Sequence, residues 1–296
     1  MNLLHSLKGL GVAMVTPFAQ NGEVDYLNLE KLVNHLIDNG VDYLVALGTT
    51  GENPTLSDEE KHKIVRTIVT VNENRVPVVV GMGGPCTHTI IQQFNSFDFS
   101  GVKAILSVSP YYNKPSQTGL FEHYQELAKH APLPVLLYNV GGRTSCNMEA
   151  STTLKLAEND NIIGIKEASG IMTQIMTIVK NKPKNFLVIS GDDAITLPLL
   201  AVGVDGVIST VGNAFTAEMA KMVHLAQERK FDEAAILHYQ LLDIIQACFK
   251  EGSPSGIKCF LSMQNRMGYH LRLPLTRVSN EHQSIVKELI SLMQHK

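Results

Sequence analysis

The sequence predicts an α/β fold: a closed TIM-type (β/α)8 barrel over residues 1–213, with a C-terminal helical appendage, residues 214–296, packed on it. Three observations predict it. Eight short apolar, β-branched runs recur at regular intervals; amphipathic stretches long enough for a crossover helix separate them; after the eighth run the pattern becomes helical only. A doubly wound open sheet also alternates strands with helices, but a count of eight favours the closed barrel. No glycine-rich dinucleotide fingerprint follows the first run, which lowers the open sheet further.

In chain order the strand runs are residues 10–15, 43–47, 76–80, 104–108, 135–138, 162–165, 186–189 and 206–209. Amphipathic stretches at 26–39, 58–72, 120–129 and 149–157 supply crossover helices. Ser57 and Glu60 have capping-box spacing, so the charged residues from Asp58 to Lys63 read as solvated first turns of a helix. Past the eighth strand, helices are expected over 216–228, 231–250, 257–267 and 281–293, with a turn at 252–256. These added helices either cap the barrel or build an oligomer contact.

The chain has 296 residues and a net charge of -3, with no run of lysines or arginines that suits nucleic acid or an anionic membrane. Small-molecule partners are favoured. The first residues show no basic leader, no cleavage site and too short an apolar run for a membrane span, so a cytoplasmic protein is expected. Cys86, Cys146, Cys248 and Cys259 are scattered without a CxxC pair, and the eleven histidines form no HExxH pattern. No metal is implied.

One stretch organises the chemistry. Residues 161–170 read NIIGIKEASG: a buried strand that ends in Lys166 and Glu167 before a small-residue turn. Strict alternation puts Lys166 on the face of Ile162 and Gly164, with Ile163, Ile165 and Glu167 opposite, and Gly164 leaves space beneath the lysine. A lysine stem in an apolar cavity favours the neutral amine that carbonyl chemistry requires. Against this stands the ordinary lysine that ends a strand and reaches water.

Barrel enzymes carry their reacting groups at the C-terminal strand tips, and here those tips are polar. The second ends Gly48, Thr49, Thr50, Gly51, Glu52, a candidate backbone nest for a carboxylate or phosphate, or else an ordinary turn. The fourth ends in an aromatic loop, Tyr111 and Tyr112, pinned by Pro110 and Pro115. The fifth ends at Tyr138, which alternation places beside Lys166 at the mouth, with Arg143 just beyond as a fork for a carboxylate. An amine, a tyrosine acid/base, hydroxyl and N–H donors for one carboxylate and an arginine for another make up the equipment of a Schiff-base aldolase acting on a 2-oxo acid.

The motifs GTTGE (48–52), SPYYNKPSQ (109–117), YNVGGRT (138–144), GIKEASG (164–170), SGDD (190–193) and LRLPLT (271–276) resemble those of the dihydrodipicolinate synthase family, within the N-acetylneuraminate lyase superfamily of class I aldolases. The resemblance implies that Lys166 forms an imine with pyruvate, with no other cofactor, and that Tyr138 shuttles protons. Thr49 and Tyr112 would complete a hydroxyl relay, Tyr112 reaching in from a neighbouring subunit. Thr49 and Thr50 would hold the pyruvate carboxylate and Arg143 that of L-aspartate 4-semialdehyde, while backbone carbonyls near Gly191 and Ile208 would face the lysine. It further implies a homotetramer built from tight dimers, or a homodimer, and a place in diaminopimelate and lysine biosynthesis.

Two departures bear on function. The family usually carries proline after YNV, whereas here Gly141 and Gly142 precede Arg143, a looser lead-in. At the positions where lysine-inhibited members bind lysine, this chain has Asp58, Lys61, Pro85 and Thr89, so weak or absent inhibition by lysine is expected. The alternatives are another pyruvate-type aldolase cleaving a sialate or 2-keto-3-deoxy sugar acid, a non-catalytic barrel that binds a 2-oxo acid, and a phosphate-handling isomerase. Arg143 argues against the first, intact Lys166 and Tyr138 against the second. Ser190 to Asp193 and Ser209 to Asn213 only weakly resemble the phosphate loop the third needs.

Overall fold

The computed structural model describes residues 3–294. Strands β1 (Gly9–Ala13), β2 (Tyr43–Ala46), β3 (Val78–Gly81), β4 (Val102–Val108), β5 (Val135–Asn139), β6 (Ile162–Glu167), β7 (Leu187–Ser190) and β8 (Gly206–Ser209) run parallel and close in sequence order, with β8 pairing back onto β1. Helix α1 (Leu3–Ser6) precedes β1. Helices α2 (Tyr26–Asp38), α3 (Asp58–Asn72), α4 (Thr87–Ser96) and α5 (Gln117–His130) follow the first four strands in turn. A short turn α6 (Gly141–Thr144) and α7 (Ala150–Leu156) follow β5, and α8 (Met172–Asn181), α9 (Thr196–Ala201) and α10 (Thr216–Gln227) follow the last three strands. Three more helices, α11 (Phe231–Lys250), α12 (Ser255–Met263) and α13 (Asn280–Gln294), end the chain.

Side-chain alternation divides the core into two layers. Ala13, Tyr43, Val45, Val79, Ala104, Leu106, Leu136, Leu187, Ile189 and Ile208 form one cluster inside the barrel, closed below by Leu7. The other strand face packs on the helices. Gly11 and Tyr43 are register partners, and a Cβ on Gly11 would lie 2.3 Å from the Tyr43 ring, so this glycine makes room for a large side chain in a narrow interior. Leu241 and Ile244 of α11 and Ile257 and Phe260 of α12 join the same apolar cluster as Leu10 and Val12 of β1. The final helices and the barrel therefore share one core. Among the described residues, no helix is long and apolar enough to cross a membrane.

Two of the larger departures from the expected strand boundaries have identifiable reasons. β1 stops at Ala13 because the Val15 N–H donates to the Asn213 side chain instead of the ladder (3.0 Å). β3 begins at Val78, after Pro77, which has no N–H to give a neighbouring strand. The capping box at Ser57 and Glu60 forms in full at the start of α3.

Candidate active site

Lys166 lies at the tip of β6, directly opposite Tyr138 of β5 in the parallel register. Its Nζ sits 4.4 Å from the centroid of the Tyr138 ring, and the residue is 6% exposed. The lysine therefore points into the barrel and not toward water. Strict alternation misplaced two neighbours, Ile162 and Ile163. A register shift between Val135 and Leu136 inserts an extra residue on β6, so Ile162 packs outward with Ile165 while Ile163 joins the interior cluster. Gly164 does lie inward below the lysine: a Cβ there would meet Leu136 and Leu187, both interior residues.

Gly191, just past β7, closes on the lysine from the other side. A Cβ at this position would fall 2.9 Å from Lys166 Cε and 2.7 Å from the Ala168 Cβ. For the imine chemistry that the sequence resemblance implies, Gly191→Ala is expected to push the lysine stem off its course and to slow adduct formation by about tenfold, because small misplacements of a reacting group carry large rate costs. Single-turnover trapping with pyruvate checks this; an unchanged trapping rate contradicts the packing.

The GTTGE segment forms a 3-10 turn, Thr49–Gly51, held by Thr16 Oγ1 donating to the Gly51 carbonyl (2.7 Å). The Gly51 and Glu52 N–H groups close the turn on the Gly48 and Thr49 carbonyls. That leaves the Thr49 and Thr50 N–H groups for a ligand. The buried Thr50 hydroxyl meets that of Thr210 beyond β8 (3.3 Å). Thr210 and Val211 in turn donate their N–H groups to the Asp193 carboxylate, whose burial pushes its pKa up. The tips of β2, β7 and β8 are thus tied together.

A cavity of ≈ 440 Å³ opens at this end of the barrel, and Thr49, Tyr111, Tyr138 and Arg143 line it. It extends past Asn53 and Pro54 to Asp58, Lys61 and His62 on α3. Lys166, Thr50, Gly191 and Ile208 are not on its wall: the lysine stands behind Tyr138, Gly191 packs on the lysine stem, and Ile208 is buried in the barrel interior. Arg143, in the helical turn α6, donates from Nη2 to the Ser253 carbonyl (3.1 Å), a contact with the segment between α11 and α12. Tyr112 is not brought to the cavity within this chain. It is 93% exposed and holds a φ of 75°, a conformation aromatic residues rarely adopt.

Sequence reading missed a buried polar network behind the GTTGE turn. Glu52, with a φ of 55°, receives an ion pair from Lys258 of α12, both side chains being fully buried. Lys258 also donates to the His270 carbonyl (3.0 Å) and lies 4.2 Å over the Phe18 ring. Burial holds the Lys258 ammonium down at about 8 against the opposing pull of Glu52. The Arg272 N–H donates to Glu52 (3.2 Å), while its guanidinium forks onto Glu60 and holds that carboxyl down at about 2. Among the described residues no group of three or more His, Cys, Asp or Glu is placed to hold a metal ion.

Residues 6–293 match the Dihydrodipicolinate synthetase family. The chain belongs to that family. It is 50% identical over 271 residues to the 4-hydroxy-tetrahydrodipicolinate synthase of Parabacteroides distasonis, covering 91% of each chain. The crystal structure of dihydrodipicolinate synthase from Thermotoga maritima superposes with a TM-score of 0.95 at 34% identity, covering 98% of this chain and 99% of that one. A monomeric dihydrodipicolinate synthase variant superposes with a TM-score of 0.94 at 34% identity over 97% of each chain. The strand tips of the (β/α)8 barrel frame the site described above.

Proposed function

We propose that this enzyme, a lyase of the class I aldolase type, condenses pyruvate with L-aspartate 4-semialdehyde through an imine on Lys166, giving 4-hydroxy-tetrahydrodipicolinate for diaminopimelate and lysine biosynthesis. The observation that carries this reading is the buried Lys166 amine against Tyr138, with Tyr138 linking it to a cavity walled by Thr49 and Arg143. The Lys166 amine adds to the pyruvate C2 carbonyl, and loss of water leaves a protonated imine. That imine is an electron sink: a methyl proton departs, and the resulting enamine carbon attacks the aldehyde. The amine of the second substrate then closes the ring onto C2 and displaces Lys166, so the sequence releases one water and regenerates the enzyme.

Each residue has a part in this scheme. Tyr138 passes protons during imine and enamine formation, with Thr49 and a partner subunit's copy of Tyr112 completing the relay. The Thr49 and Thr50 N–H groups hold the pyruvate carboxylate, which their lack of other acceptors supports. Backbone carbonyls near Gly191 and Ile208 face the lysine. The exposure and strained backbone of Tyr112 support its use outside its own chain, in a homodimer or in a homotetramer of tight dimers. A cytoplasmic location suits this biosynthetic role. The barrel, residues 1–213, carries the chemistry, and the extension 214–296 supports it through Ser253 and Lys258.

Arg143 binds the carboxylate of L-aspartate 4-semialdehyde, which sets this reading apart from a sugar-acid lyase. Assaying both substrate classes tests it: turnover of the semialdehyde is expected, and turnover of a sugar acid alone would contradict it. Arg143→Ala is expected to raise KM for the semialdehyde by roughly 30-fold, about the worth of a charge-assisted bidentate contact, with KM for pyruvate within about twofold. Steady-state kinetics with each substrate varied in turn separate the two.

L-Lysine is expected to inhibit weakly or not at all. Asp58 and Lys61 line the outer part of the cavity and pair with each other (3.1 Å), while Pro85 and Thr89 are exposed and off its wall. Lys61 repels the ammonium groups of the ligand. Initial rates across an L-lysine titration decide this; a sub-millimolar inhibition constant contradicts it.

A further inference from the structure

The two catalytic strand tips each carry a second, outward-facing polar residue. Asn139 follows Tyr138, Glu167 follows Lys166, and the two are register partners. Both are buried, at 0% and 1% exposure. The Asn139 Nδ2 donates to both Glu167 oxygens (3.1 Å each). Ser169 N–H and Gln174 Nε2 supply further donors to Glu167, at 2.8 and 3.2 Å. Among the described residues no cation lies within ion-pair distance of this carboxylate, which is held by neutral donors alone. Water cannot replace those donors at such a depth, so their geometry is enforced.

The same amide closes a loop. Asn139 Oδ1 accepts the Met148 N–H (2.9 Å), and its Nδ2 also approaches the Met148 carbonyl (3.3 Å) and Asn147 Oδ1 (2.9 Å). Gln174 on α8 doubles this clamp: it donates to the Met148 carbonyl (3.1 Å) and accepts from Asn147 Nδ2 (2.9 Å). Asn139 and Met148 are the two ends of the excursion that carries Gly141, Gly142 and Arg143. The excursion is held internally, with the Arg143 and Thr144 N–H groups donating to the Val140 carbonyl (2.9 and 3.1 Å) and Thr144 Oγ1 to the Cys146 carbonyl (2.9 Å), so its ends and the Ser253 contact set where this turn sits against β6.

We propose that Asn139 and Glu167 are positioning residues for the second substrate, a buried amide–carboxylate clamp that fixes the Arg143 loop relative to the Lys166 strand. This rests on the functional reading above. The clamp touches neither substrate and acts through Arg143, so its effect belongs in the affinity for the aldehyde's carboxylate and not in imine formation.

The experiment is a double-mutant cycle on KM. The parent enzyme's turnover of L-aspartate 4-semialdehyde, measured first, tests the functional reading by itself. Asn139→Ala is expected to raise KM for the semialdehyde about tenfold, with KM for pyruvate and the borohydride trapping rate within about threefold of the parent. In an Arg143→Ala background the same change should add less than about twofold, because the group it positions is gone. A second arm uses Asn139→Asp, which sets two carboxylates face to face; adding Glu167→Gln restores one donor against one acceptor and should recover most of the lost affinity. If Asn139→Ala does not fold, Gln174→Ala removes the parallel clamp from a half-buried position and is read the same way. Equal losses in both KM values, multiplicative effects with Arg143→Ala, or no recovery in the paired variant each overturn the proposal.

Discussion

Lys166→Met is expected to lower kcat by at least roughly 10⁴-fold while the protein stays folded, because in the proposed mechanism the residue that carries the covalent intermediate has no substitute. The stability half of this prediction follows from the surroundings. Among the described residues Lys166 has no ion-pair partner, so removing its amine orphans no carboxylate. Methionine keeps the unbranched stem that packs between Gly191 and the Tyr138 ring. A change in unfolding free energy within about 1.5 kcal/mol is therefore expected. Coupled product assays and a denaturant titration on the same preparation measure both halves. Substantial turnover by the folded variant would remove Lys166 from the mechanism.

Lys258→Met is expected to do the opposite, costing stability first. The side chains of Lys258 and Glu52 are both fully buried, and removing one partner leaves a carboxylate in the protein interior with, among the described residues, only the Arg272 N–H to satisfy it. Breaking a buried pair in this way costs roughly 3–5 kcal/mol. The Arg272 guanidinium does not step in, because Glu60 and the carbonyls of Gly22 and Thr55 already occupy it. Adding Glu52→Gln to Lys258→Met removes the orphaned charge and should recover more than half of the loss. The shift in denaturation midpoint reports this; a single variant as stable as the parent would mean that the pair contributes nothing. Because Glu52 ends the turn that presents Thr49 and Thr50, the surviving folded fraction should also bind pyruvate less tightly.

Much of this architecture was legible in the residues. Eight apolar runs at even spacing specify a closed barrel, since each strand is buried on both faces and each crossover needs a helix. Lys166 was legible because Gly164 and Ile165 precede it on a strand and Tyr138 closes the apolar run before. Other features were not. The bulge that turns Ile162 outward leaves no mark in an unbroken apolar run, because Ile162 and Ile163 are interchangeable as letters and differ only in the pairing of β5 with β6. The resemblance placed a carbonyl near Gly191 against the lysine, but the tight packing of its Cα on the lysine stem depends on β7 lying beside β6 and leaves no mark in the residues themselves. Glu52 and Arg272 stand 220 residues apart, so nothing local announces that the carboxylate turn leans on the final helices. On residue pattern alone Tyr112 was one of an aromatic pair, and the family resemblance singled it out; its exposure and strained backbone separate it from Tyr111, which lines the cavity.

Among the described residues two lysines are buried, and they divide along chemical lines. Lys258 is locked by a carboxylate and a carbonyl and lines no part of the cavity, whereas Lys166 stands unpaired beside a tyrosine at its edge. Borohydride reduction in the presence of pyruvate, followed by peptide mapping, distinguishes them most directly. A single stable pyruvate adduct on Lys166, lost in Lys166→Met, is the expected result. The absence of any adduct, or an adduct on Lys258 with Lys166 unmodified, would contradict the assignment of Lys166 as the imine-forming residue.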